Sequence, residues 1–218
     1  MDDPNIYQAI AVNPLLTYLL LNTPMHGKLL VAAPLARSFL EMLELSLDNI
    51  TFTTFHGSDL LNCKYKSPLI PESPEYPILA ASYVSGDSGT GLVHCAPGHG
   101  LEDYGLLSAH HVSPFSPVDD KGTFTAEVQP PSLRGLSVLD EGNKAVIDLL
   151  EESGALIHQH PYKHKYPYDW RSKEPVIVRA TEQWFANVES IKDSAVNAIK
   201  GIKMIPDTSA ANLSKIAD

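Results

Sequence analysis

Cysteine is scarce in this chain. Cys63 and Cys95 are the only two among 218 residues, which excludes a disulfide scaffold and a multi-cysteine zinc site. Two thiols fit a reducing compartment. Long apolar runs are missing too: stretches such as Leu15–Leu21 fall far short of the ~20 residues that span a bilayer. No membrane partner is expected, and no charged segment followed by an apolar block opens the chain as a secretory signal would. Positive charge is also short, with 16 Lys and Arg against 26 Asp and Glu, a net −10. Broad electrostatic wrapping of nucleic acid is thereby excluded, because neutralising phosphates needs clustered cations. Any nucleic-acid contact has to be local. No internal repeat or low-complexity tract is visible. What the chain does have is 44% apolar residues, enough for a core, and at 19% too few charged ones for disorder. Its length allows one large or two small domains.

The pattern alternates short β-like runs with a few helices. Residues 9–13 and 17–22 read as strands about a turn at Asn13-Pro14, and 28–31 as a third. Ala36 to Leu45 reads as a helix, with Phe39, Leu40 and Leu43 on one face and Pro34 placed where a missing N–H costs nothing. Strands are expected at 50–55 and 78–84. Between them Ser67 to Pro77, holding four of the 17 prolines, reads as an extended surface loop. Gly89 to His94 reads as a strand and Leu101 to His110 as a helix. A clearer helix runs from Asp140, as cap, to Glu152, with Gly154 ending it. Further on, 176–178 and 183–185 read as short strands and 191–202 as an amphipathic helix.

The strongest chemical signal is the run Gly89-Thr90-Gly91-Leu92-Val93-His94-Cys95-Ala96-Pro97-Gly98-His99-Gly100-Leu101-Glu102-Asp103-Tyr104. Its glycines let a backbone approach a ligand closely or take positive φ. A strand that turns into a helix start gathers amide donors, and Asp103 in that first turn suits an ammonium group. The plainer alternatives are that Glu102 and Asp103 only complement the helix dipole, and that His94 is a half-buried strand residue. His94 beside Cys95 invites a thiol-hydrolase idea, but neighbouring strand residues point to opposite faces.

Gly-Thr-Gly-x-Val-His-x-Ala-Pro-Gly-His-Gly-x-x-Asp-Tyr resembles the signature of the editing domain inserted in class I isoleucyl-, valyl- and leucyl-tRNA synthetases. A second block, Tyr166-Pro167-Tyr168-Asp169-Trp170-Arg171-Ser172-Lys173-Glu174-Pro175-Val176-Ile177-Val178-Arg179-Ala180-Thr181-Glu182-Gln183-Trp184-Phe185, is similar to the exit from that insert in isoleucyl-tRNA synthetases. Asp169 and Ser172 stand near the places of two cysteines in the bacterial form, and Tyr-Pro-Tyr-Asp-Trp-Arg is closer to the mitochondrial branch. The resemblance covers about residues 8–207.

It implies an α+β fold, a β-barrel-like editing domain at 8–157, with 1–7 an atypical or truncated start. Residues 158–218 then form a connecting region and a partial return to the catalytic Rossmann-type core. The implied activity is hydrolysis of valine wrongly esterified to the isoleucine tRNA. A synthetic pocket separates the two side chains by one methylene, only ~1–3 kcal/mol, so a second site must remove the error. By the same resemblance Asp103 binds the substrate's α-ammonium and His94 lines the pocket. Gly89, Thr90 and Gly91 shape the wall near the terminal adenosine, with His99 and Tyr104 as further substrate-binding positions. Cys95 replaces a usual threonine. The implied partners are the tRNA(Ile) acceptor end and a valine ester, on a monomer, in the mitochondrial matrix or, as second choice, the cytoplasm.

Two departures shape the expectation. The family's Trp-Thr-Thr-x-Pro-Trp-Thr segment precedes the strand matching Ala9 to Asn13, whereas Met1-Asp2-Asp3-Pro4-Asn5-Ile6-Tyr7 holds no threonine. The alternative to a hydrolase is therefore a non-catalytic, acceptor-binding fragment. The ATP-binding signatures are absent as well, so ATP and magnesium are expected only in the full-length parent, with no cofactor for editing. Trp184 matches a residue beside the isoleucine pocket and is expected here as a packed or partly exposed aromatic. His158, His160 and His164 lack a usual zinc spacing, so no metal site is expected. With Lys163, Lys165, Arg171 and Lys173 they offer either a tRNA-facing surface or a solvated loop.

Overall fold

A computed structural model of the chain describes residues 7–161 and 163–206. The expected start at 1–7 thus lies outside the described residues except for Tyr7. The chain divides into two compact units, with the boundary after Ala180. The first holds seven strands: β1 (Ala9–Val12), β2 (Thr17–Thr23), β3 (Gly27–Ala32), β4 (Thr51–His56), β5 (Lys64–Tyr65), β6 (Tyr76–Ala80) and β7 (Leu92–Cys95). It also holds helices α1 (Ala36–Met42), α2 (Leu101–Ala109) and α3 (Glu141–Glu152). The strands form two sheets, ordered β5-β6-β1-β7 and β3-β2-β4. Among the described residues neither sheet closes into a barrel.

Strand β1 is an inner strand of the larger sheet, and its side chains are apolar on both faces. Ala9, Ala11 and Val12 are fully buried, as befits a strand covered on both sides. It pairs parallel with β6 and antiparallel with β7. One face sends Val12 and Ile78 into a cluster with Tyr18, Leu21 and Leu40 of β2 and α1. The other packs Ala9, Ala11, Leu79 and Cys95 against Leu107 of α2.

Hydrogen bonds join the two sheets. The buried Tyr18 hydroxyl donates to the Gly91 carbonyl at 2.9 Å and accepts the Asn13 N–H at 3.0 Å. Ala32 N–H bonds Thr90 O at 2.8 Å, and Asn13 Nδ2 bonds Val84 O at 2.9 Å. A buried hydroxyl satisfied as donor and acceptor avoids a penalty of ~1–3 kcal/mol. The approach is close enough to require glycine. Gly91 has φ +74°, and a Cβ there would sit 2.4 Å from Ala32 Cβ.

Several expectations need correction. Strand β6 starts at Tyr76 and ends at Ala80; Ala81 bonds Val12 O and then turns to Val84. Segments 176–178 and 183–185 are not strands. Val178 and Ala180 instead bond the turn at Gly98 and His99. Asp140 does not cap α3 through its side chain; its carbonyl accepts from Asn143 and Lys144. Gly154, at φ +69°, does follow the helix end. The second unit holds α4 (Glu189–Lys200), which buries no residue. Trp184 and Phe185 there are fully exposed, so Trp184 is not packed.

Two glycines separate packing from propensity. A Cβ on Gly57 would lie 2.1 Å from Asn13 O, whereas one on Gly105, inside α2, meets nothing within 4 Å. Gly57→Ala should destabilise by about 1–3 kcal/mol, and Gly105→Ala should stabilise by about 0.5–1 kcal/mol. Urea unfolding reads both; equal effects would contradict the close contact at Gly57.

Candidate active site

The antiparallel register sets Ala9 opposite Cys95 and Ile10 opposite His94. His94 and Gln8, diagonal neighbours across the pair, therefore share a face, and His94 Nε2 lies 2.7 Å from Gln8 Oε1. An amide oxygen only accepts, so Nε2 carries hydrogen. Both residues open onto a cavity of about 260 Å³. Its strand side is Gln8, His94 and Ala96; its other walls are largely apolar, including Leu69, Ile70, Val118, Phe124 and Leu133. Tyr7 adds an aromatic edge, its ring 4.7 Å from that of Phe115 and 5.5 Å from that of Tyr76. Although its rim is exposed, these surroundings push the His94 pKa below its ordinary value of 6.5, and the Asp103 charge offsets only part of that. Around pH 7 the ring is neutral.

From Cys95 the chain turns through Pro97 and Gly98 into α2. Asp103 folds back over the helix start, where Oδ2 accepts the Ala96 N–H at 3.0 Å. Gly100 leaves room for this, since a Cβ there would sit 3.0 Å from that oxygen. The carboxylate also sits at the positive end of the helix. Cys95 points to the opposite face from His94, fully buried, with Sγ 3.5 Å from the Tyr83 hydroxyl. Burial pushes its thiol up to about 11. A protonated, enclosed thiol is no nucleophile, so the pair is not a thiol-hydrolase site.

Of the residues singled out in the sequence, His94 and His99 line the cavity together. Asp103 stands beside the cavity's strand corner and acts electrostatically on His94, without lining the hollow itself. Gly89, Thr90 and Gly91 lie at the joint with β3, and Tyr104 is exposed on α2. Lys163, Lys165, Arg171 and Lys173 are all exposed, and none lines the cavity. The last two belong to a tight hairpin in which Asp169 N–H bonds Glu174 O and Val176 N–H bonds Pro167 O. The Asp169 carboxylate accepts the Ser172 and Arg171 amides at 2.7 and 3.0 Å, which lowers its pKa. Arg171 lies over the Trp170 ring at 4.6 Å. The His158 and His160 rings are 5.5 Å apart. Among the described residues no three His, Cys, Asp or Glu side chains gather to hold a metal ion.

Sequence reasoning missed Gln8 and the wall at Leu69 and Ile70. The stretch from Ser67 to Pro77 is not simply a surface loop: Ser67, Ser73 and Tyr76 are buried. Pro68 and Pro71 each take the second place of a turn, closed by Ile70 N–H to Ser67 O and Ser73 N–H to Ile70 O, and these two turns carry Leu69 and Ile70 to the cavity wall.

No protein-family model matches the chain. Among curated proteins it is 47% identical over 201 residues to the isoleucine–tRNA ligase of Thermosynechococcus vestitus, covering 91% of this chain and 21% of that protein. It is 46% identical over 157 residues to the mitochondrial isoleucine–tRNA ligase of Schizosaccharomyces pombe, covering 72% of this chain and 16% of the relative. With the chloroplastic/mitochondrial enzyme of Arabidopsis thaliana it shares 48% over 162 residues, 74% of this chain and 14% of that one. The chain thus spans at most about a fifth of the length of these relatives. Among solved structures, GlLeuRS-CP1 superposes with a TM-score of 0.53 at 18% identity, covering 74% of this chain and 83% of that one. That likeness establishes the fold, a mixed α/β domain of the kind seen in GlLeuRS-CP1.

The His94 environment carries a pH signature. Because its folded pKa lies below 6.5, the folded state binds fewer protons than the unfolded chain as pH falls through that value. Its contribution is intact above pH 6.5 and is lost on acidification. Urea midpoints at pH 7 and pH 5 should fall more for the wild type than for His94→Gln. An equal fall in both proteins would refute the desolvated imidazole.

Proposed function

We propose, for a chain that belongs by sequence to the isoleucine–tRNA ligases, that it is their editing region and hydrolyses valine misattached to the isoleucine tRNA. The observation that carries this reading is the largely apolar cavity with a neutral imidazole, His94, on its strand side and the Asp103 carboxylate at the adjoining helix start. A neutral ring does not repel an α-ammonium group, and Asp103 attracts one. The apolar walls suit a short aliphatic side chain. The ester is already activated, so positioning a water and excluding larger side chains supply most of the selectivity.

On this reading the reaction needs no cofactor, ATP and magnesium serving only the aminoacylating parent. Gly89, Thr90, Gly91 and Tyr104 approach the terminal adenosine from the joint and from α2. The chain acts as a monomer on the tRNA(Ile) acceptor end. The organellar names of two relatives support a mitochondrial setting, and the cyanobacterial one a cytoplasmic alternative. Among the described residues no helix is long and apolar enough to cross a membrane.

A second reading, acceptor-end binding without turnover, is favoured by one feature: Asp103 already accepts a backbone amide and is not turned into the cavity. Incubation with Val-tRNA(Ile) and Ile-tRNA(Ile) separates the two. Hydrolysis predicts selective loss of the valyl ester, slowed about 10–100-fold in Asp103→Ala, as loss of a charge-assisted contact of about 1.5–3 kcal/mol implies. Acceptor binding with neither ester cleaved would leave the binding reading standing and remove the hydrolase.

A further inference from the structure

Resting on the hydrolytic reading, we infer that His99 is the proton acceptor for the attacking water, its tautomer set by the Val178 carbonyl. His99 Nδ1 lies 3.1 Å from Val178 O. A carbonyl oxygen has no hydrogen to give, so Nδ1 must be the donor. A neutral imidazole carries one N–H, which leaves the unshared pair on Nε2. His99 lines the same cavity as His94, yet the two rings are prepared differently. Nε2 of His94 carries hydrogen and is spent on Gln8 Oε1; Nε2 of His99 is the nitrogen left able to accept.

The ring is also held in place. Two bonds fasten the stretch 178–180 to the turn before α2, Val178 O to His99 and Ala180 N–H to Gly98 O at 2.7 Å, and Arg179 Nη1 anchors the same stretch to Val118 O at 3.0 Å. On its other side the turn presses on Phe115, where a Cβ at Gly98 would sit 2.2 Å from the Phe115 carbonyl. A turn clamped from two sides, with a carbonyl behind the imidazole, is the arrangement a general base requires: the third group fixes tautomer and orientation, and it stabilises the cation formed.

The step balances without a co-reactant. A water proton passes to His99 Nε2 as the water oxygen bonds the ester carbonyl carbon. The bond from that carbon to the ribose oxygen then breaks, and the Nε2 proton moves to the departing oxygen. The products are the free amino acid and a tRNA with a terminal ribose hydroxyl. Val178 O accepts more strongly from Nδ1–H while the ring is charged.

Single-turnover deacylation of Val-tRNA(Ile) tests this with His99→Ala and His99→Gln, the glutamine being able to keep a donor for Val178 O and so to protect the fold. Both should react about 10²-fold more slowly than the wild type while binding the acceptor end as before. Added imidazole should restore His99→Ala in proportion to its free-base concentration and leave His94→Ala unchanged. Nitrogen NMR of histidine-labelled protein should find hydrogen on His99 Nδ1. Wild-type turnover with His99→Ala within threefold of it, a folded variant that imidazole does not rescue, or hydrogen found on Nε2 would each overturn the assignment alone. A wild-type chain without turnover removes the hydrolytic reading and this assignment together.

Discussion

The register of β1 against β7 is the constraint on which the rest depends. Side chains alternate along a strand, so a slip of one residue moves every one of them to the other face. In the observed pairing Ile10 meets His94 and Ala9 meets Cys95. A slip would carry the thiol into the cavity and drive the imidazole into the packed face beside Leu107. The small, fully buried side chains of Ala9, Ala11 and Val12 resist this, because both faces of β1 are already filled. Burial of three small residues thereby decides which chemistry faces the cavity.

The joint between the sheets keeps that register from drifting. Tyr18 reaches from β2 to the Gly91 carbonyl just before β7 and accepts Asn13 N–H just after β1. One side chain thus ties together the two strands whose pairing matters and the smaller sheet that packs behind them. This is a structural duty for the first half of the glycine-rich run, and its second half serves the cavity. A single motif of 16 residues holds the sheets together at one end and shapes the site at the other, the division falling within β7.

Much of this was legible in the sequence, and the failures share a cause. Strands β1 to β4 and the helices announced themselves through periodicity, and His94, His99 and Asp103 through a motif dense in glycine, proline and acid. Gln8 carried no such signal. It matters only because pairing of residues far apart in sequence sets it 2.7 Å from His94, and composition does not encode register. Leu69 and Ile70 were hidden by the prolines around them, which read as solvent-facing although the backbone they stiffen turns inward. Val176 to Val178 read as a strand on β-propensity alone. Propensity records a taste for half-buried pleated surface, and here the stretch spends its polar groups on a turn and an imidazole instead.

Charge distribution supplies the remaining step. A polyanion approaching a chain of net −10 is repelled by most of its surface. Between His158 and Lys173, however, four Lys and Arg side chains stand against the single carboxylate of Asp169. One oxygen of that carboxylate, Oδ1, accepts two amides of its own turn, while Arg171 and Lys173 remain exposed. For an acceptor end, as proposed, this hairpin and the segment leading into it are a stretch of locally positive charge on an otherwise acidic chain. The same hairpin continues directly into residues 178–180, which clamp the turn carrying His99. The element that offers the favourable field for RNA is therefore covalently continuous with the element that fixes the imidazole.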